Sequence, residues 1–262
     1  MNTATILLSL SCGSLVGLSL GLVGGGGSIL ATPLLLYVVG VANPHVAIGT
    51  SALAVAANAT MSFVGHARKG HVWWRCAILF ALVGAIAALG GSLLGRLVDG
   101  QRLLALFAIL IFVIAALMLR KSPATDAAPR VVDARMCAIT GGAAAASGTL
   151  SGFFGIGGGF LIVPALVAAT RMPTISAIGS SLLAVGAFGL ATAGSYAAAG
   201  LIDWPIAVTF AGGGLIGGII GTGLATRLAL RRGVLERTFA ALIVVVGGYV
   251  LWRSVSALLE GR

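Results

Sequence analysis

The sequence predicts an all-α polytopic membrane protein made of two inverted repeats, and three observations carry that prediction. First, 59% of the 262 residues are hydrophobic, only 8% are charged, and the mean hydropathy is +1.11. A soluble domain is about 45–50% apolar and about 25% charged, so a water-soluble fold of this size would expose the excess as large apolar patches. Second, a glycine-rich segment ending in proline occurs twice, at residues 24–33 and 155–164. Third, Lys and Arg fall in the loops in a pattern that suits one chain direction and not its rival. A soluble enzyme, a disordered chain and a disulfide scaffold are excluded.

The elements follow in order from the apolar runs, at 5–41, 46–65, 72–95, 103–119, 136–170, 175–200, 204–230 and 235–259. A helix needs about 20 apolar residues to cross a bilayer. Six runs suit one crossing each. The first and fifth are too long for one, and glycines interrupt both. None shows the alternation of an outer-membrane barrel. Trp73, Trp74, Trp204 and Trp252 lie near run ends, as an interfacial belt requires. Cys12, Cys76 and Cys137 are isolated and read as packing residues. Residues 1–11 carry no Lys or Arg, so no signal-peptide n-region is expected there. The net charge of +10 is read as topogenic loop charge, with no nucleic-acid partner.

The repeat extends beyond the glycines. Pro33 and Pro164 lie 131 residues apart; Ile48-Gly49-Thr50-Ser51 then matches Ile178-Gly179-Ser180-Ser181, and Gly70-His71-Val72-Trp73-Trp74 matches Gly200-Leu201-Ile202-Asp203-Trp204. Between the halves, residues 120–130 form the longest polar stretch, with two prolines, and read as an exposed linker. The expected organisation is a first repeat at 1–119, a polar cytoplasmic linker at 120–135 and a second repeat at 136–262.

Loop charge sets the relative orientation. If each glycine-broken run crosses once, the 16 Lys and Arg divide nine to seven; if each goes in and returns, they divide twelve to four. The second division is the positive-inside pattern. It places both termini outside and makes the halves inverted copies. The return arms, 28–41 and 159–170, span about 20 Å at most as α-helix, against a hydrocarbon core of about 30 Å. Helical hairpins with glycine tips inside the protein near mid-membrane are therefore expected, each followed by three transmembrane helices, eight to ten membrane helices in all. Two short tilted crossings give the same parity and stay open.

Irregular backbone at membrane depth survives only inside protein or beside a wet cavity, and inverted repeats with broken helices place substrate at the breaks. The helix after a break offers free N–H groups and a positive dipole end, both suited to an anion. The candidate anion site is therefore Gly24, Gly25, Gly26, Gly27 and Ser28 in one half, and Gly155, Gly157, Gly158 and Gly159 in the other. Thr50 and Ser51, with Ser180 and Ser181, sit early in the helix after each break, as hydrogen-bond donors to substrate or as helix caps. Asn58, two turns beyond Thr50, faces the same cavity or bonds another helix. Gly91/Gly95 and Gly217/Gly221 are read as helix-packing contacts. Ionisable groups within the runs are scarce. His66 and Asp203 are the possible coupling residues, with an interfacial role as the rival reading. No metal set and no nucleophile–base pair is visible, so no enzyme activity, metal or cofactor is expected.

These segments, with Ala47-Ile48-Gly49-Thr50-Ser51, Ala177-Ile178-Gly179-Ser180-Ser181 and Gly200-x-Ile202-Asp203-Trp204, resemble the TauE/SafE sulfite exporter family over nearly the whole chain. The first half departs where Trp73 stands in place of the aspartate, so no role for that carboxylate in both halves is expected. The resemblance implies a multi-pass inner-membrane permease that exports a small sulfur-containing anion such as sulfite or sulfoacetate. The expected partners are that anionic solute and the lipid bilayer, with a homodimer as a possibility. An anion channel using the same site, or a non-transporting membrane subunit of an enzyme, are the alternatives.

Overall fold

A computed structural model describes residues 2–119, 134–155 and 159–228, with Gly247, Gly248 and Trp252. The linker at 120–133, the tip residues Gly157 and Gly158, and most of the last run lie outside the described residues. Within them the protein is all helical. The first half has α1 (Thr3–Val23), a seven-residue 3₁₀ stretch (Gly24–Leu30), α2 (Ala31–Leu34) running into a π turn (Leu35–Val39), α3 (Pro44–Arg68), α4 (Trp74–Leu97) and α5 (Gly100–Leu119). The second has α6 (Ala134–Phe154), α7 (Gly159–Thr170), α8 (Thr174–Ala198) and α9 (Trp204–Leu228). Among the described residues five helices, α1, α3, α4, α8 and α9, are long and apolar enough to cross a membrane.

Local chemistry sets the boundaries. Asn43 accepts the His45 N–H at 2.9 Å, and Pro44 opens α3 with a preset φ. Asp99 accepts the Gln101 and Arg102 N–H groups at the start of α5, and Asp203 accepts that of Ile206 in α9. Among the described residues six have left-handed φ, and they form three repeat pairs: Gly24 with Gly155, Gly40 with Arg171, and Gly70 with Gly200. Each pair ends a helix at the same place in its half.

The transmembrane helices lie side by side in the order α6, α4, α8, α3, α9, α1. Glycine seams hold them. A Cβ on Gly13 would run into the Phe210 carbonyl and one on Gly17 into that of Gly214; Gly148 and Gly152 meet Gly84 and Ala88 in the same way. Thus α1 runs parallel to α9, and α6 parallel to α4. Gly91 and Gly95 press on α6, and Gly217 and Gly221 on α1, the packing role read from the sequence.

The central pair differs. Gly49 of α3 meets Tyr196 of α8, Gly189 meets Ala52 and Ala56, and Gly179 meets His66. Low numbers on one helix face high numbers on the other, so α3 and α8 are antiparallel. They occupy the same place in the two halves. Single-crossing breaks would make them parallel; breaks that return would make them antiparallel.

Candidate functional site

Each end of the α3–α8 pair gathers one set of the residues singled out from sequence. At the first end, Gly155 packs against Ile48, and the Thr50 hydroxyl accepts the Asp203 N–H at 3.0 Å. Ser51 donates to the Ile48 carbonyl at 2.9 Å and shares a 2.8 Å hydrogen bond with Thr32 of the return arm. At the second end, Gly24 packs against Ile178 and Ser181, Ser180 accepts the Trp73 N–H at 3.0 Å, and Ser181 donates to Ile178 at 2.8 Å. The two hydrogen bonds from Asp203 and Trp73 are repeat mates. What the halves share at this position is a backbone N–H, which is why tryptophan can replace aspartate. The Asp203 side chain caps α9.

The two sets do not converge. Gly179 lies level with His66, so Ser181 lies level with the turn around residue 64 of α3, thirteen residues beyond Ser51. At 1.5 Å per residue the two hydroxyl pairs are about 20 Å apart along the helices. Gly24 likewise reaches to within about two turns of the start of α8. The expectation of two tips embracing one ion is thereby corrected: each break packs near the start of the central helix of the other half, Gly24 on Ile178 and Ser181 and Gly155 on Ile48. The first return arm leaves Gly24 as 3₁₀ helix. Ser28 and Thr32 on this arm are buried. A seven-residue 3₁₀ stretch is unusually long, and such stretches mark functional or strained segments. Gly25, Gly26 and Gly27 lie within it, and Gly159 opens α7.

Asn58 and His66 are buried at 1% and 0% exposure. Asn58 makes no interhelical side-chain hydrogen bond; its amide fills the place where a Cβ on Gly214 would stand. His66 is buried within the protein, two residues before the end of α3.

Sequence reasoning missed a cavity of about 730 Å³ at the first end, lined by Ala42, Asn43, His45, Arg96 and Asp99 among others. Arg96 spans it to donate to the Ser195 carbonyl at 2.8 Å and to its hydroxyl at 3.3 Å. The N-termini of α3 and α5 both open onto this cavity. With Arg96 they favour an anion, and Asp99 opposes it. Its walls come from two loops far apart in sequence, and no motif links them. Among the described residues no group of three or more metal-ligating side chains occurs.

The Sulfite exporter TauE/SafE family matches residues 9–250. A probable membrane transporter protein of Xylella fastidiosa (strain 9a5c) is 56% identical over 259 residues, covering 98% of this chain and 99% of the relative. The probable membrane transporter protein YunE of Bacillus subtilis (strain 168) is 22% identical over 95% of this chain and 96% of its own length. The probable membrane transporter protein MJ0441 of Methanocaldococcus jannaschii is 28% identical over 65% of this chain and 64% of its own. No solved structure matches the chain.

Proposed function

The chain belongs to the TauE/SafE sulfite exporter family and is a multi-pass membrane transporter; we propose that it exports a small sulfur-containing oxyanion, sulfite or an organosulfonate such as sulfoacetate, by alternating access. The observation that carries this reading is the pairing of two equivalent glycine breaks, each beside a hydroxyl pair, at opposite ends of one antiparallel helix pair. The anion occupies one break at a time. Gly24 to Ser28 with Ser180 and Ser181 serve the end that bears Lys69, and Gly155 to Gly159 with Thr50 and Ser51 serve the other. The charge division makes the Lys69 end cytoplasmic. The halves are inverted copies, so a rocking motion along the α3–α8 seam exchanges their environments.

The driving force needs no metal or nucleotide. A cell interior at −100 mV favours exit of a monovalent anion by about 2.3 kcal/mol. The cavity beside Arg96 is then the exit vestibule, where a fixed positive charge receives the released anion.

The test is uptake and counterflow of labelled sulfite in proteoliposomes under a set membrane potential, with sulfoacetate and sulfate as competitors. Saturable flux that follows the potential, with counterflow and selective competition, is expected. Currents far above carrier turnover without counterflow would replace the carrier by a channel. No flux by folded protein would overturn the reading.

A further inference from the structure

Three side chains on α3 stand four residues apart, on one face and in register with one another. Asn58, Ser62 and His66 are 1%, 3% and 0% exposed, and no polar atom of their side chains has a hydrogen-bond partner. The surface opposite them is largely glycine. Gly214 faces the Asn58 amide, a Cβ on Gly218 would lie 3.0 Å from the Ser62 hydroxyl, and one on Gly179 would lie 3.3 Å from the His66 Cβ. Unpaired polar groups at membrane depth are costly, and those that persist line sites and ion paths.

The column ends at His66, two residues before the end of α3. His66 lies 5.8 Å, ring to ring, from His71, and the Gly21 backbone lies beside it outside hydrogen-bonding geometry. Gly21 is three residues before Gly24, and Gly179 is two before Ser181, so His66 borders the anion break of the Lys69 end. The repeat mates of the column are Phe188, Thr192 and Tyr196. A tyrosine, which cannot become a cation, therefore stands at the other end where histidine stands here.

We infer that His66 is the proton site of a proton-linked anion site at the Lys69 end, a reading that rests on the anion transport proposed above. The anion at the Gly24 break and a proton on His66 bind together. The proton comes from water at the Lys69 end, past His71, and a water at the Ser62 hydroxyl, one turn from His66, pairs the second ring nitrogen. Among the described residues the basic side chains that face His66 are His71 and Lys69, and the Lys69 charge opposes an imidazolium there. Neither α1 nor α8, nor α9 as far as Leu224, carries an Asp, Glu, Lys, Arg or His. The bound anion is thus the counter-ion that makes the imidazolium favourable, and by linkage the proton strengthens anion binding equally. The other end, with Tyr196, binds anion without a proton, so the proton returns past His71 to the Lys69 end when the anion leaves the Gly24 break, and the charge moved is the anion's alone.

The test measures KM for labelled sulfite from the Lys69 end of oriented proteoliposomes at pH 6 and pH 8. His66→Gln serves as the reference for the protonation of sulfite itself, and sulfoacetate, ionised throughout, as a second anion. From pH 6 to pH 8 the wild-type KM is expected to rise roughly tenfold more than that of His66→Gln. His66→Tyr, which copies the mate residue, is expected to behave as the glutamine variant. Changing pH at the other end is expected to leave this difference unaltered. Equal pH dependence in all three proteins would overturn the inference while leaving anion transport standing. If neither variant folds, the wild type decides: a pH indicator should register proton uptake when sulfoacetate binds, and none would overturn the inference. Folded wild type that moves neither anion overturns the transport reading and this one together.

Discussion

Gly17→Leu is expected to keep α1 from seating on α9, with a fall in melting temperature of about 10 °C or more in detergent. The side chain would enter space held by the Gly214 carbonyl; Gly13, one turn before, meets the Phe210 carbonyl as closely, and Gly21, one turn after, meets the backbone of Thr222 and Gly218 at 2.6 and 2.8 Å. Overpacking costs about 1–3 kcal/mol where side chains can move aside. Here backbone opposes backbone along three turns, and neither can yield without separating the helices. Gly148→Leu is expected to do the same to α6 and α4, since Gly148 meets the backbone of Gly84. Gly90→Leu is the control, because nothing lies within 4 Å of its Cβ position. An unchanged melting temperature for Gly17→Leu would contradict the seam.

Gly155→Val and Gly24→Val are expected to reduce sulfite flux by at least about tenfold while the protein remains folded. Both residues have left-handed φ, +67° and +75°, which costs a β-branched residue on the order of 1–3 kcal/mol. Both also border the proposed anion site, against Ile48 at one end and Ser181 and Ile178 at the other. Strain and site effects separate through Gly200→Val. Gly200 has φ +70° at the end of α8, and a side chain there would enter open space and touch neither break. It carries the strain without the site, so its flux should stay near wild type. Equal loss in all three variants would remove the breaks from the site.

The architecture was legible because glycine, proline and tryptophan punctuate both halves at equal spacing. The second return arm was expected at 159–170, and α7 spans those residues. The first arm was expected as an α-helix from Ser28, but its 3₁₀ and π turns depend on tertiary packing, which no local propensity encodes. Which end of the α3–α8 pair each break reaches depends on the same tertiary packing, so the separation of the two breaks was not legible. Thr50 and Ser180 could be found by repeat matching. Their partners are the N–H groups of Asp203 and Trp73, and backbone atoms leave no mark in a sequence. His66 looked interfacial because it lies near the end of an apolar run. Its burial comes from Gly21 of α1 and Gly179 of α8, both distant in the chain.

The inverted relation of the halves underlies the two-ended site and is open to one direct measurement. Arg68 and Ala198 are repeat mates, and both are exposed at the ends of α3 and α8. Each is replaced by cysteine in a background with Cys137, the exposed native thiol, changed to serine; Cys12 and Cys76 are buried. Labelling of intact cells with a membrane-impermeant thiol reagent should modify Ala198→Cys and spare Arg68→Cys until the membrane is opened. Labelling of both from the same side would contradict the inverted halves, and with them an anion path that opens to each side in turn.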